Sequence, residues 1–317
     1  MKNALFLILV YLLTLLICGC ISFELSKEEY CNKTWRWDLD CALNETLSEK
    51  EVSKVSELAL KLKGRDCIES SWNVLKWVEE NIEYDSQKAE FPTPIIILKG
   101  RDVMIQNSER SYQTPLETVK LGKGICGDYA ILTSALLINL DCKPYILRFE
   151  FNNEETGHLA TAILLDQYYI LDQNLPPMDL GSYYKKWAVD QIEITKVHIY
   201  DRGVLVGEIS GDEMLEFDYK FSDSDLKVIE NRIKEMLTHR LIEDPKIPAG
   251  YFEALIIKIT FPNYVEFYTK AFSEKIAENI AEEILESIEK SDKKWRAFYI
   301  ELKVNSGDLI VGVHLGR

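Results

Sequence analysis

The chain has 317 residues, 47% hydrophobic and 28% charged, enough apolar material for one large core or two ordinary ones. Its 37 Lys and Arg stand against 52 Asp and Glu, a formal net charge of −15. That balance excludes a nucleic-acid binder, whose phosphate contacts need a basic face.

Chain order begins with "MKNALFLILVYLLTLLICGCISF", where Lys2 is the single charge. The stretch has the basic start, apolar centre and small residues of a signal peptide. It is also long enough to span a bilayer, and "ICGC", ending at Cys20, has the form of a lipoprotein cleavage site. All three readings of residues 1–23 export the bulk of the chain, and the last two leave it attached to the cell membrane.

Cys18 and Cys20 belong to this leader. With Cys126 reserved for chemistry, Cys31, Cys41, Cys67 and Cys142 form an even set, and three pairings stay open. One of them joins a short clip, Cys31 to Cys41, with a long one, Cys67 to Cys142; four free thiols are the alternative. Sequons at Asn32 and Asn44 fall in the same stretch.

Residues 24–69 read as a juxtamembrane segment, irregular over 31–44, followed by a helix over about 47–62 that stops at Gly64. "SSWNVLKWVEENIEYD" puts Val74, Trp77, Val78 and Ile82 on one helical face, with Ser70 or Ser71 as cap. Residues 86–116 form a long connection in which "PIIILKGRDVMI" is a short strand or a covering segment. A helix over 126–139 follows, then the strands "PYILRFEF", "HLATAILL" and "YYILD". "NLPPMDLGSYYKKW" reads as a loop.

From Asp190 the pattern starts afresh. "QIEITKVHIYD" and "VLVGEIS" flank "RG" as a hairpin. A helix over about 223–241, the strand "FEALIIKITF", a helix over about 267–289 and the strands "AFYIELKV" and "DLIVGVHL" complete the chain. This is a second α+β module or an extension sharing the first core.

Three residues carry the chemistry: Cys126 at a helix start, His158 at a strand start and Asp172 at the next strand's end. Thiol attack on an amide needs a thiolate, an imidazole to move protons and a group to orient that imidazole. A helix N-terminus favours the thiolate through its dipole and unpaired N–H groups, and the N–H of Cys126 could bind an oxyanion. Register tests the set. A two-residue turn at 166–167 sets Asp172 opposite Thr161, on the face away from His158. A three-residue loop over 165–167 sets it opposite Ala160, one diagonal step from His158.

"ETVKLGKGICGDYAILTSALL" together with "HLATAILLDQYYILD" resembles the transglutaminase-like superfamily, relatives of the papain-like cysteine proteases, over about residues 70–177. The resemblance implies an α+β fold with the nucleophile helix packed on an antiparallel sheet. It also implies Cys126 as nucleophile, His158 as base and Asp172 as orienter. With the leader, the chain is similar to an archaeal membrane-associated branch.

The domain division that follows is 1–23 leader, 24–69 juxtamembrane segment and helix, 70–189 catalytic domain and 190–317 C-terminal module. The activity implied is attack on a protein or peptide amide through a thioester, with hydrolysis favoured over transfer to an amine and no cofactor. Calcium, which some relatives use, has no recognisable loop here. The alternative is an inactive fold kept as an extracellular binding or assembly module.

Many superfamily members carry an aromatic residue two places after the histidine, where this chain has Ala160. They also have an upstream oxyanion helper, for which Tyr112 and Gln113 are candidates. Asp128 suits the dipole of the first helical turn. His198, His239 and His314 have no Cys or carboxylate at ligand spacing, so no metal site is expected.

Overall fold

The computed structural model describes residues 25–317 apart from 153–156, 248–250, 252–253 and 292. The fold is α+β, with two antiparallel-rich sheets and helices gathered around them. Among the described residues no helix is long and apolar enough to cross a membrane. The leader, with Cys18 and Cys20, lies outside them.

The first sheet has six antiparallel strands in the order Val204–Ser210, Ile194–Asp201, Pro144–Phe151, His158–Leu164, Tyr168–Leu171, Met178–Asp179. The helix Cys126–Asn139 lies on one face, and it is buried from Cys126 through Leu137. A helix apolar on every side belongs inside a core, and this one packs on Leu159 and Ile163. Thr161 fastens it there: its hydroxyl donates to the Ala130 carbonyl at 2.8 Å and meets Ser134 Oγ at 3.0 Å. The opposite face carries Leu147, Phe149, Ala160, Ala162 and Tyr183 in a separate apolar cluster. Alternation along the strand thus divides the two layers.

Sequence periodicity places the hairpin after Asp190 in the C-terminal module, but the structure pairs its first strand with Pro144–Phe151, inside the six-stranded sheet. Period alone marks a strand and leaves its partner open. Its turn is as read: Arg202 and Gly203 have φ of 47° and 82°, the left-handed pair that a two-residue hairpin loop requires.

The second sheet runs Ile242–Glu243, Ala297–Asn305, Asp308–Gly316, Ala254–Phe261, under the helices Asp223–Thr238 and Ser273–Glu289. It shares the first core. Phe272 packs on Trp72 at 6.5 Å and on Tyr169 at 5.8 Å between ring centroids. Lys275 reaches Glu69 at 2.5 Å, and one apolar cluster continues from Leu43 to Leu315.

Several local expectations are revised. The stretch 31–44 is mostly helical, in Lys27–Thr34 and Leu39–Thr46, capped by Ser26 and Asp38. The helix expected over 47–62 is two short pieces, Glu49–Ser53 and Ser56–Lys61. The next helix starts earlier than its serines suggest, at Cys67. Asp66 is the cap, accepting from Glu69 N at 2.8 Å. "PIIILKGRDVMI" forms a hairpin, Ile95–Lys99 with Asp102–Gln106.

Of the open cysteine pairings, the structure has Cys31–Cys41 and Cys67–Cys142. The second joins the first turn of Cys67–Asn81 to the residues just after the nucleophile helix. It closes a loop with a sequence separation of 75, worth roughly 4 kcal/mol by the chain-entropy model. Urea denaturation is expected to show about that loss for C67A/C142A. The 10-residue separation of Cys31–Cys41 gives roughly 2.5 kcal/mol for C31A/C41A. A smaller loss at the long bridge than at the short one contradicts this ranking.

Candidate active site

Cys126 is the first residue of its helix and is 8% exposed. The cap residue, Ile125, has no side-chain acceptor, so Asp128 supplies one from inside the helix. Its Oδ2 accepts from Ile125 N at 2.9 Å and from Lys88 Nζ at 2.6 Å, and its Oδ1 accepts from Gln113 N at 2.8 Å. Asp128 is fully buried, and its role is to fasten the nucleophile turn to two other segments.

The glycines flanking the cysteine follow from this crowding. A Cβ on Gly124 would lie 2.7 Å from Asp128 Cβ, and one on Gly127 would lie 2.7 Å from Tyr112 Cε1. Of the two residues considered as oxyanion helpers, Tyr112 is therefore beside the cysteine. Gln113 is turned away: its side-chain amide donates to Thr118 Oγ1 at 3.0 Å and to Lys123 O at 3.2 Å and accepts from Lys88 Nζ at 3.2 Å. The main-chain N–H groups of Cys126 and Gly127 have no hydrogen-bond partner among the described residues, as expected for a first helical turn.

The strand register is the three-residue one. Leu164 pairs with Tyr168 and Thr161 with Leu171, and Leu165 N donates to Gln167 O at 3.0 Å across the loop. His158 Nε2 consequently meets Asp172 Oδ1 at 3.0 Å. The imidazole and the Leu159 main-chain N–H also lie close enough to the Cys126 thiol to act on its ionisation. With Nε2 engaged by Asp172, Nδ1 is the nitrogen left for sulfur. The structure therefore brings Cys126, His158 and Asp172 into one connected group.

Burial opposes every charge in this group, and the partners outweigh it. The Asp172 charge and hydrogen bond, with Cys126, push His158 up to about 10. Burial alone would raise the Cys126 thiol, yet the hydrogen bond and charge of His158 and the Leu159 N–H bring it below its ordinary value. Asp172 is likewise held low against burial by His158, Lys186 and Tyr183. Both shifts act in the direction of a thiolate–imidazolium pair.

Two contributors escaped the sequence reading because "NLPPMDLGSYYKKW" contains the helix Leu180–Val189, capped by Asp179. Tyr183 Oη donates to Asp172 Oδ2 at 2.8 Å, and Trp187 packs on His158 at 5.2 Å between ring centroids. Burial and Asp172 hold the Tyr183 phenol far above its usual range, so it stays a donor. The Pro176–Pro177 pair and Gly181 suggest a loop, whereas the Asp179 cap and the four-residue spacing of Tyr183 and Trp187 are the signals that point to a helix. Trp187 and Phe149 supply the aromatic cover that Ala160 lacks.

His198, which has no Cys or carboxylate at ligand spacing in the sequence, bridges Glu150 at 3.0 Å and Glu208 at 2.8 Å from the two neighbouring strands. Cross-strand partners are invisible to sequence spacing. No group of three potential ligands gathers as a metal site among the described residues.

A cysteine at a buried helix start, held by a histidine and an aspartate on adjacent antiparallel strands, defines a transglutaminase-like site, and a transglutaminase-like domain matches residues 53–200. A UPF0252 protein of Archaeoglobus fulgidus is 40% identical over 313 residues, covering 96% of this chain and 97% of that relative. The chain belongs to the UPF0252 family. A UPF0252 protein of Pyrococcus horikoshii is 29% identical over 98% of both chains. One from Methanocaldococcus jannaschii is 35% identical over 49% of this chain and 43% of its own.

Removing one partner of the buried Lys88–Asp128 pair leaves an uncompensated charge. Thermal or urea unfolding of K88M is therefore expected to show a loss of about 3–5 kcal/mol. A loss below about 1 kcal/mol, the scale of a surface pair, contradicts this account of the turn.

Proposed function

We propose that this protein is an exported, membrane-anchored cysteine peptidase or amidase acting through a thioester on Cys126. The observation that carries the reading is the linked chain Cys126–His158–Asp172–Tyr183, in which the thiol is lowered and the imidazole raised. Catalysis requires that pairing and packing alone do not.

The Cys126 thiolate attacks the carbonyl carbon of an amide, and the resulting oxyanion is met by the free N–H of Cys126 and the neighbouring Tyr112. His158 gives its Nδ1 proton to the leaving nitrogen as the C–N bond breaks, leaving an acyl thioester. It then takes a proton from water, which attacks the thioester and releases the acid and the thiol. Asp172 keeps the ring oriented throughout.

Two clefts flank the site, and the reading gives each one half of the substrate. One of about 270 Å³ is lined by Cys126 and not His158 and suits the acyl half. The other, lined by His158, Asp172, Asn174, Lys186, Trp187 and Asp190, lies where the leaving amine departs. That second side is polar, which favours water as the acceptor. Export and anchoring rest on residues 1–23. The two disulfides support an oxidising compartment, although disulfide-rich intracellular proteins occur in hyperthermophiles.

Acid-quenched intact-mass spectrometry with casein and a panel of peptide amides is expected to show an acyl adduct in wild type and none in C126A. Hydrolysis should fall by about 10³-fold in H158Q and by about 10²-fold or more in D172N. The Y183F variant should lose roughly tenfold, the share of one hydrogen bond to a charged group. A folded wild type that forms no adduct and hydrolyses nothing contradicts the proposal and leaves the binding-module alternative.

A further inference from the structure

The acyl-side cleft departs from the charge of the molecule that contains it. The chain as a whole is strongly acidic at −15, yet the described residues lining this cleft include Arg110 and Arg148 and no carboxylate. Trp37, Leu39, Pro94 and Leu159 supply apolar wall.

Arg110 is half-buried, and its side chain makes no hydrogen bond or ion pair among the described residues. The segment bearing it is nonetheless fixed. Trp37 Nε1 donates to Ser108 O at 2.9 Å on one side, and Tyr112 N donates to Arg36 O at 2.7 Å on the other. Arg148, on the strand beside His158, meets Glu150 at 3.5 Å, its one ion pair among the described residues.

A partly desolvated guanidinium gains from an anion that completes it. The planar fork of arginine suits a carboxylate in particular. Both arginines share the cleft with the nucleophile, so the anion they receive must be part of the group that becomes the thioester.

We propose that Arg110 and Arg148 form a carboxylate-binding subsite for the acyl half of the substrate, so that the enzyme selects acidic peptides with an Asp or Glu close to the amide it attacks. This rests on Cys126 being an activated nucleophile, and it goes further by naming the substrate class.

The test compares the rates at which iodoacetate and iodoacetamide alkylate Cys126 at neutral pH and low salt, read by mass spectrometry of the Cys126 peptide. The two reagents deliver the same carbon to the same sulfur and differ in one negative charge, so their ratio reads the subsite without any substrate. His158 contributes equally in every variant, and the change on mutation is therefore the informative quantity. The ratio is expected to fall at least about fivefold in R110Q and further in R110Q/R148Q, to be largely retained in R110K, and to shrink with added salt. A ratio unchanged in both R110Q and the double variant overturns the subsite while leaving the activated thiol standing. A thiol slow toward both reagents contradicts the cysteine-enzyme reading and this inference with it.

Discussion

The site depends first on one buried carboxylate. Asp128 closes the start of the nucleophile helix by accepting from Ile125 N, Gln113 N and Lys88. Three segments distant in sequence meet there: the turn bearing Cys126, the segment bearing Tyr112, and the short helix Ser86–Glu90. A carboxylate in the first turn also benefits from the helix dipole. That charge lies two residues from a thiol whose ionisation it would oppose, and Lys88 at 2.6 Å balances it. Capping and activation can therefore share one helix end.

The second constraint is strand alternation. The nucleophile helix packs on the face that carries Leu159 and Thr161, whereas His158 belongs to the other face. The imidazole reaches the thiol because it stands at the first position of its strand, at the rim where the two layers meet. Asp172, just past the end of the neighbouring strand, reaches it diagonally, and the three-residue loop at 165–167 makes this possible. Trp187, Phe149 and Tyr183 then enclose the pair, so the charges of His158 and Asp172 act across little water.

Much of this was legible in the sequence, for identifiable reasons. The helix over 126–139 shows because its glycine-flanked cysteine leads straight into an unbroken apolar pattern. The requirement that Asp172 share a side with His158 left a bulge or a three-residue loop, and the structure adopts the loop. What stayed hidden depends on tertiary partners. The helix carrying Tyr183 and Trp187 follows two prolines and has a glycine at its second position. The 194–210 hairpin has a clear period, but nothing local says which sheet it joins. Asp128 reads as an ordinary first-turn acid because Lys88 and Gln113 lie 40 and 15 residues away, and the place of Arg110 in the cleft beside Cys126 appears only when its neighbours are placed.

The pH dependence of iodoacetamide labelling at Cys126, in wild type and in H158A, tests the central claim that the thiol is activated by this imidazole. With the thiol lowered and His158 raised to about 10, the wild-type rate is expected to titrate below the ordinary thiol value of about 8.5. In H158A only the Leu159 N–H remains to oppose burial, and the titration should move up toward that value or above. Matching profiles in the two proteins, both titrating as an ordinary thiol, would contradict the account.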